Sequence, residues 1–187
     1  MSTLTNLPNL LTLLRILLIP VFIVVFYVPF EWAHVAAAII FALASFTDWL
    51  DGYLARKLKQ MSPFGAFLDP VADKLLVATS LLLLVGGRDI NYITLPAIII
   101  VGREIVISAL REWMAEIGSR ASVTVSYIGK VKTTVQMVAL FLLLAFYPST
   151  SYLGVLGFIL LYVSAILTIW SMVIYIMIAW PQLIKKQ

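Results

Sequence analysis

Apolar residues along this chain fall into six long runs separated by short stretches rich in polar residues and breakers. The runs are about 10–28, 32–48, 70–85, 93–110, 132–147 and 153–180. Several approach the ~20 apolar residues that a helix needs to cross a bilayer. Pro29, the Gly65 region, Gly86 and Gly87, Gly118 and Pro148 mark the connections. No internal repeat, low-complexity tract or heptad pattern is present, so residues 1–187 form a single domain. The pattern predicts an all-α polytopic membrane protein with six transmembrane helices. Trp32, Tyr92, Trp113, Tyr147, Tyr152 and Trp180 fall near the run ends, where aromatic rings anchor at the interface.

Composition sharpens this expectation. The chain is 63% hydrophobic and 12% charged, and its mean hydropathy is +1.06. Soluble domains carry about 25% charged residues, so a cytosolic globular fold could not cover its surface. Disorder is excluded by the same numbers. With no cysteine, disulfides, thiolate metal sites and cysteine nucleophiles are excluded. A cleaved leader is not expected, because no Lys or Arg precedes the first apolar run. The net charge of +4 in so apolar a chain points to topology and anionic partners, and not to nucleic acid.

The basic residues are unevenly placed. Arg56, Lys57, Lys59 and Lys74 surround the second connection, Arg111, Arg120, Lys130 and Lys132 the fourth, and Lys185 and Lys186 the tail. The other side has only Arg88 as a candidate. By the positive-inside rule the basic connections are cytoplasmic, and six spans put both termini there as well.

Four of the nine acidic residues occupy one window. Asp48 and Asp51 are three apart on the second helix, and Asp69 and Asp73 four apart on the third, so each pair shares a helix face. The short connection makes the two helices antiparallel neighbours, and the four carboxylates converge. Asp48 lies 16 steps from Trp32, about 24 Å along a helix, just inside the cytoplasmic edge of a ~30 Å hydrocarbon core. Carboxylates this close need compensating positive charge. Hard divalent cations with oxygen ligands supply it, and Mg²⁺ suits a site that also receives phosphate. Two such ions sharing the four aspartates would clamp an in-line phosphoryl displacement. Gly52 and Ala55 lie on or beside the acidic face and leave room for a bulky ligand. Gly65 permits a close helix approach or a sharp entry to the third span, and Arg56 offers a planar cation for phosphate.

The spacing Asp48-x2-Asp51-Gly52-x2-Ala55-Arg56-x8-Gly65-x3-Asp69-x3-Asp73 resembles the signature of the CDP-alcohol phosphatidyltransferases at every position. The stretches Asn9-Leu-Leu-Thr12-Leu-Leu-Arg15, Val101-Gly-Arg-Glu-Ile, Arg111-Glu-Trp-Met and Gly129-Lys-Val-Lys-Thr133 extend the likeness over essentially the whole chain. They resemble the family members that use sn-glycerol 3-phosphate as acceptor. The resemblance implies a homodimer in the bacterial inner membrane, each subunit with six helices around a polar cavity open to the cytoplasm. It implies transfer of a phosphatidyl group from CDP-diacylglycerol to sn-glycerol 3-phosphate, with release of CMP. By the same resemblance Asp48, Asp51, Asp69 and Asp73 hold two Mg²⁺ or Mn²⁺ ions, and Asp73 is also the base. Asn9, Thr12, Gly52, Ala55, Arg56 and Ser62 meet the CDP-lipid. The Gly-Lys-x-Lys-Thr context gives Lys130 and Lys132 a role at the acceptor phosphate, and Arg103 and Arg111, on the same side as the carboxylates, are expected to join them in a basic wall that binds it.

Other polar residues admit two readings. Arg15 either snorkels to the interface or faces the cavity beside Thr12 as a contact for a substrate phosphate. Arg103 and Glu104 lie deep in the fourth run and either pair with a neighbouring helix or line the cavity, where Arg103 and Arg111 share a face. Glu112, Glu116 and Arg120 read as a solvated helix face, and His34 as an interfacial residue on the far side. Sister enzymes with another acceptor (inositol phosphate, serine or phosphatidylglycerol) share the signature. A divalent-cation transporter would place its ion site near the midplane between repeats with broken helices. Neither feature occurs in this sequence.

Overall fold

The computed structural model describes residues 7–58, 62–87, 91–116, 127–146 and 151–184. Each apolar run becomes a helix: α1 (Leu7–Tyr27), α2 (Ala33–Leu58), α3 (Pro63–Gly86), α4 (Asn91–Glu116), α5 (Tyr127–Ala145) and α6 (Tyr152–Ile184). The helices outrun the apolar pattern on the basic side. α2 continues ten residues past Asp48, and α3 begins seven residues before Pro70. The acidic window is therefore helical on both sides of its turn.

Local chemistry explains the early start of α3. Ser62 has extended backbone dihedrals and its hydroxyl accepts from the Gly65 amide at 3.0 Å, while Pro63 follows as the first helical residue. This N-cap satisfies one of the amides left over at a helix start, and proline loses nothing at that position. Gly65 thus lies in the first turn of α3 and does not belong to the connection, which corrects its assignment as a linker breaker. Pro20, Pro70 and Pro96 sit inside α1, α3 and α4. Pro70, lacking an N–H, cannot donate to the Ala66 carbonyl one turn earlier and so breaks one rung of the ladder beside Asp69.

The core is built where the helices meet. Phe22, Phe41, Leu81, Ile93, Ile100, Leu140, Leu143 and Leu161 are buried, and Ala37, Ala38, Ala44, Ala139 and Ala165 let the backbones approach. α1 packs on α2 and α3, α5 on α6 and α2, and α4 on α3 and α6. Large apolar side chains such as Leu17, Leu82, Ile98, Ile105 and Met177 point outward, as lipid-facing positions do. α1, α4 and α6 are each long and apolar enough to cross a membrane. Ala33–Asp48 and Val131–Ala145 are shorter apolar segments. The molecule is a multi-pass helical membrane protein.

Alternating helices bring one set of ends together. The start of α1, the end of α2, the start of α3, the end of α4 and the start of α5 hold most of the charged side chains among the described residues, and the uncharged end of α6 lies beside them. That end carries the candidate site.

Candidate functional site

Asp48 and Asp51 project from the end of α2, Asp69 and Asp73 from the start of α3, and α1 ties the four together. Arg15 is completely buried. Its Nη1 donates to Asp48 Oδ1 and to Asp73 Oδ1, each at 2.8 Å, and its Nη2 donates to Asp51 Oδ2. One turn earlier Thr12 donates its hydroxyl to Asp69 Oδ1 at 2.7 Å and stands 3.4 Å from Asp51 Oδ2. A buried guanidinium is tolerated only when paired, and three carboxylates pair this one. Arg15 therefore neither snorkels nor meets solvent. It is the counter-ion of the acidic cluster, a role that sequence reasoning missed because no pattern reports which helix faces it.

Burial separates the four acids. Asp51 is 3% exposed, while Asp48 and Asp73 are 37% and 42% exposed and line a cavity of about 200 Å³. The donor set is all oxygen, which suits a hard divalent cation, and one arginine leaves a net negative charge in the cluster. The four aspartates fit such a cation by chemistry and charge. Among the described residues no three of them stand grouped as a ready ion site; the guanidinium of Arg15 stands where three of them meet.

Beside the cluster, Asn9 is buried and accepts from the Ser62 hydroxyl at 2.9 Å. A Cβ on Gly65 would lie 2.5 Å from Asn9 Oδ1, so the glycine allows the close approach of α1 and α3. Asn9, Thr12 and Ser62 thus form one continuous polar strip with the aspartates. Gly52, Ala55 and Arg56 belong to α2, but their surroundings lie outside what the structure describes, as do those of Lys130 in α5.

The basic residues divide. Lys132 is buried, lines the cavity and reaches Glu104 Oε1 at 3.2 Å. Arg103 bonds Glu104 at 2.9 Å and Ser171 of α6 at 3.3 Å. Arg111 bonds the Tyr175 hydroxyl at 3.2 Å and lies 5.4 Å from that ring's centroid. Arg103 and Arg111 are thus held against α6, and the residues lining the cavity do not include them. Glu104 links Arg103 to Lys132 and itself lines the cavity, so it both pairs with the neighbouring helix and faces the site, whereas Arg103 only pairs. Lys74, Thr133 and Gln136 also line the cavity, and of these only Gln136 had no place in the sequence reading. Lys74 also donates to Ser108 of α4 across an apolar groove of about 370 Å³ lined by Leu75, Ala78, Val101 and Ile105. Glu112 and Glu116 are exposed, as a solvated face requires. His34 lies far from this site, beside the Phe26 ring.

Comparison with known proteins matches the sequence to one family. The sequence profile of the CDP-alcohol phosphatidyltransferases matches residues 5–170. A CDP-diacylglycerol–glycerol-3-phosphate 3-phosphatidyltransferase of Pectobacterium atrosepticum is 57% identical over 171 residues, 91% of this chain and 93% of its own. Proteins of the same name from Pseudomonas fluorescens and Yersinia enterocolitica are 54% and 53% identical, over 95% and 96% of this chain and 92% and 98% of theirs.

Proposed function

We infer that this chain, which belongs to the CDP-alcohol phosphatidyltransferase family, transfers the phosphatidyl group of CDP-diacylglycerol to sn-glycerol 3-phosphate and releases CMP. The observation that carries this reading is the convergence of Asp48, Asp51, Asp69 and Asp73 on Thr12 and Arg15 of one helix, beside a cavity with a buried lysine. The named relatives support the choice of acceptor.

In this reaction the primary hydroxyl oxygen of the acceptor attacks the phosphorus that bears the diacylglycerol. The bond from that phosphorus to the CMP oxygen breaks, and CMP departs with that oxygen. Asp73 takes the hydroxyl proton in this reading, which its partial exposure on the cavity supports. Asp48, Asp51, Asp69 and Asp73 are proposed to hold two divalent cations, Mg²⁺ or Mn²⁺, which supply charge neutralisation at the pyrophosphate when bound. Asn9, Thr12 and Ser62, with Gly52, Ala55 and Arg56 on α2, form the CDP-lipid side. Lys132 holds the acceptor phosphate with Arg103 behind Glu104, while Arg111 and Lys130, nearer the helix ends, draw the dianion to the mouth. The asymmetry of Lys and Arg supports a site open to the cytoplasm and both termini inside, in the bacterial inner membrane. The family resemblance supports a homodimer.

Purified protein in detergent, supplied with CDP-diacylglycerol and a panel of acceptors, tests the reading. CMP release with glycerol 3-phosphate well above that with inositol phosphate, serine or phosphatidylglycerol is expected. Preference for another member of the panel would reassign the acceptor, and no release with any would overturn the transferase reading.

A further inference from the structure

One buried polar group in the cavity has no part in the chemistry above. Gln136 follows Lys132 by four residues on α5 and is 4% exposed. Its side chain lines the same cavity as Asp73 and Lys132. Among the described residues nothing hydrogen-bonds its amide oxygen, which is buried. Native proteins seldom leave a buried acceptor unmatched, and replacing this glutamine by an apolar side chain of similar volume would remove the mismatch. A glutamine kept at such a point is explained by a donor that arrives with a ligand.

The chemistry of that donor follows from the neighbours. Residues four apart on a helix share a face and are separated by about 6 Å of rise. An acceptor whose phosphate meets the Lys132 ammonium therefore extends toward Gln136 and Asp73. sn-Glycerol 3-phosphate carries a secondary hydroxyl between its phosphate and the primary hydroxyl that reacts. We propose that Gln136 is a specificity-determining residue, whose amide oxygen accepts a hydrogen bond from the secondary hydroxyl of the acceptor. This rests on the transferase reading given above. With no protein partner fixing the amide oxygen, the ligand's hydroxyl sets its orientation. An acceptor lacking that hydroxyl leaves the oxygen unpaired in the complex, and sites built to pair a hydroxyl discriminate against such analogues.

The test compares glycerol 3-phosphate with 3-hydroxypropyl phosphate, which keeps the phosphate and the primary hydroxyl and lacks only the secondary one. Wild-type protein is expected to favour glycerol 3-phosphate by about tenfold to a hundredfold in kcat/KM, the range for one hydrogen bond left unmade. In Gln136→Met the value for glycerol 3-phosphate should fall until the two acceptors differ by less than about threefold. A merely structural glutamine would lower Tm on replacement, whereas removing an unmatched buried acceptor leaves Tm unchanged or raises it. Gln136→Leu gives a second apolar side chain should methionine pack badly. Equal use of both acceptors by the wild type, or full discrimination retained by a folded Met or Leu variant, would overturn the proposal. Absence of CMP release with either acceptor in the wild type would instead remove the transferase reading on which it stands.

Discussion

Arg15 on α1 pairs with Asp51 on α2, and both side chains are buried, at 0% and 3% exposed. The same guanidinium holds Asp48 and Asp73. Removing one partner of a buried pair strands the other's charge at a cost of about 3–5 kcal/mol. Arg15→Met should therefore lower the melting temperature of the detergent-solubilised protein sharply, and Asp51→Asn placed in the same chain should recover part of the loss. Additive losses in the double variant would show that the two residues are not energetically coupled.

The aspartates carry a second expectation. Asp48→Ala or Asp69→Ala should abolish phosphatidyl transfer, and wild-type activity should vanish in EDTA and return with Mg²⁺ or Mn²⁺. Full turnover in chelator would rule out a divalent cation held by these residues.

Gly65 tests the seam between α1 and α3. The Cβ of Gly65→Ala would stand 2.5 Å from Asn9 Oδ1, so the Asn9–Ser62 hydrogen bond must break or the helices must part. Overpacking of this kind costs about 1–3 kcal/mol. The variant should melt earlier and show a raised KM for CDP-diacylglycerol, with KM for glycerol 3-phosphate little changed. An unaltered CDP-lipid KM in Gly65→Ala would remove the Asn9–Ser62 strip from that subsite.

Lys132 should report on the acceptor. A charge-assisted hydrogen bond is worth about 1.5–3 kcal/mol, which corresponds to roughly tenfold to a hundredfold in affinity. Steady-state kinetics of Lys132→Ala, varying each substrate in turn, should show that loss in kcat/KM for glycerol 3-phosphate. If only the CDP-lipid parameters move, Lys132 belongs to the other half of the site.

Orientation is testable because the chain has no cysteine of its own. Lys57→Cys, at the exposed end of α2, should react with a membrane-impermeant thiol reagent only from the cytoplasmic side. Tyr152→Cys, at a position 96% exposed at the start of α6, should react only from outside. The reverse labelling would invert the topology and move the site to the other face.

The sequence by itself determined the helices, their number and the grouping of the aspartates. Apolar runs long enough to span a bilayer have one stable backbone solution in lipid, the hydrogen-bonded helix, and spacings of three and four place Asp48 with Asp51 and Asp69 with Asp73 on that backbone. The ends of helices were harder to read, because hydropathy stops at the membrane edge while hydrogen bonding does not. α2 therefore runs on through Ala55 and Arg56, and Ser62 and Pro63 start α3 before its apolar part. Which helix faces the carboxylates was decided only by tertiary packing. Arg15 could equally have pointed to the interface, and only the seating of α1 against α2 and α3 turns it inward. The same holds for Arg103 and Arg111, which share a helical face that packing directs toward Ser171 and Tyr175 while Lys132 and Gln136 take the cavity. A periodicity assigns residues to a face of a helix, and the neighbour that face meets depends on contacts between segments far apart in the chain.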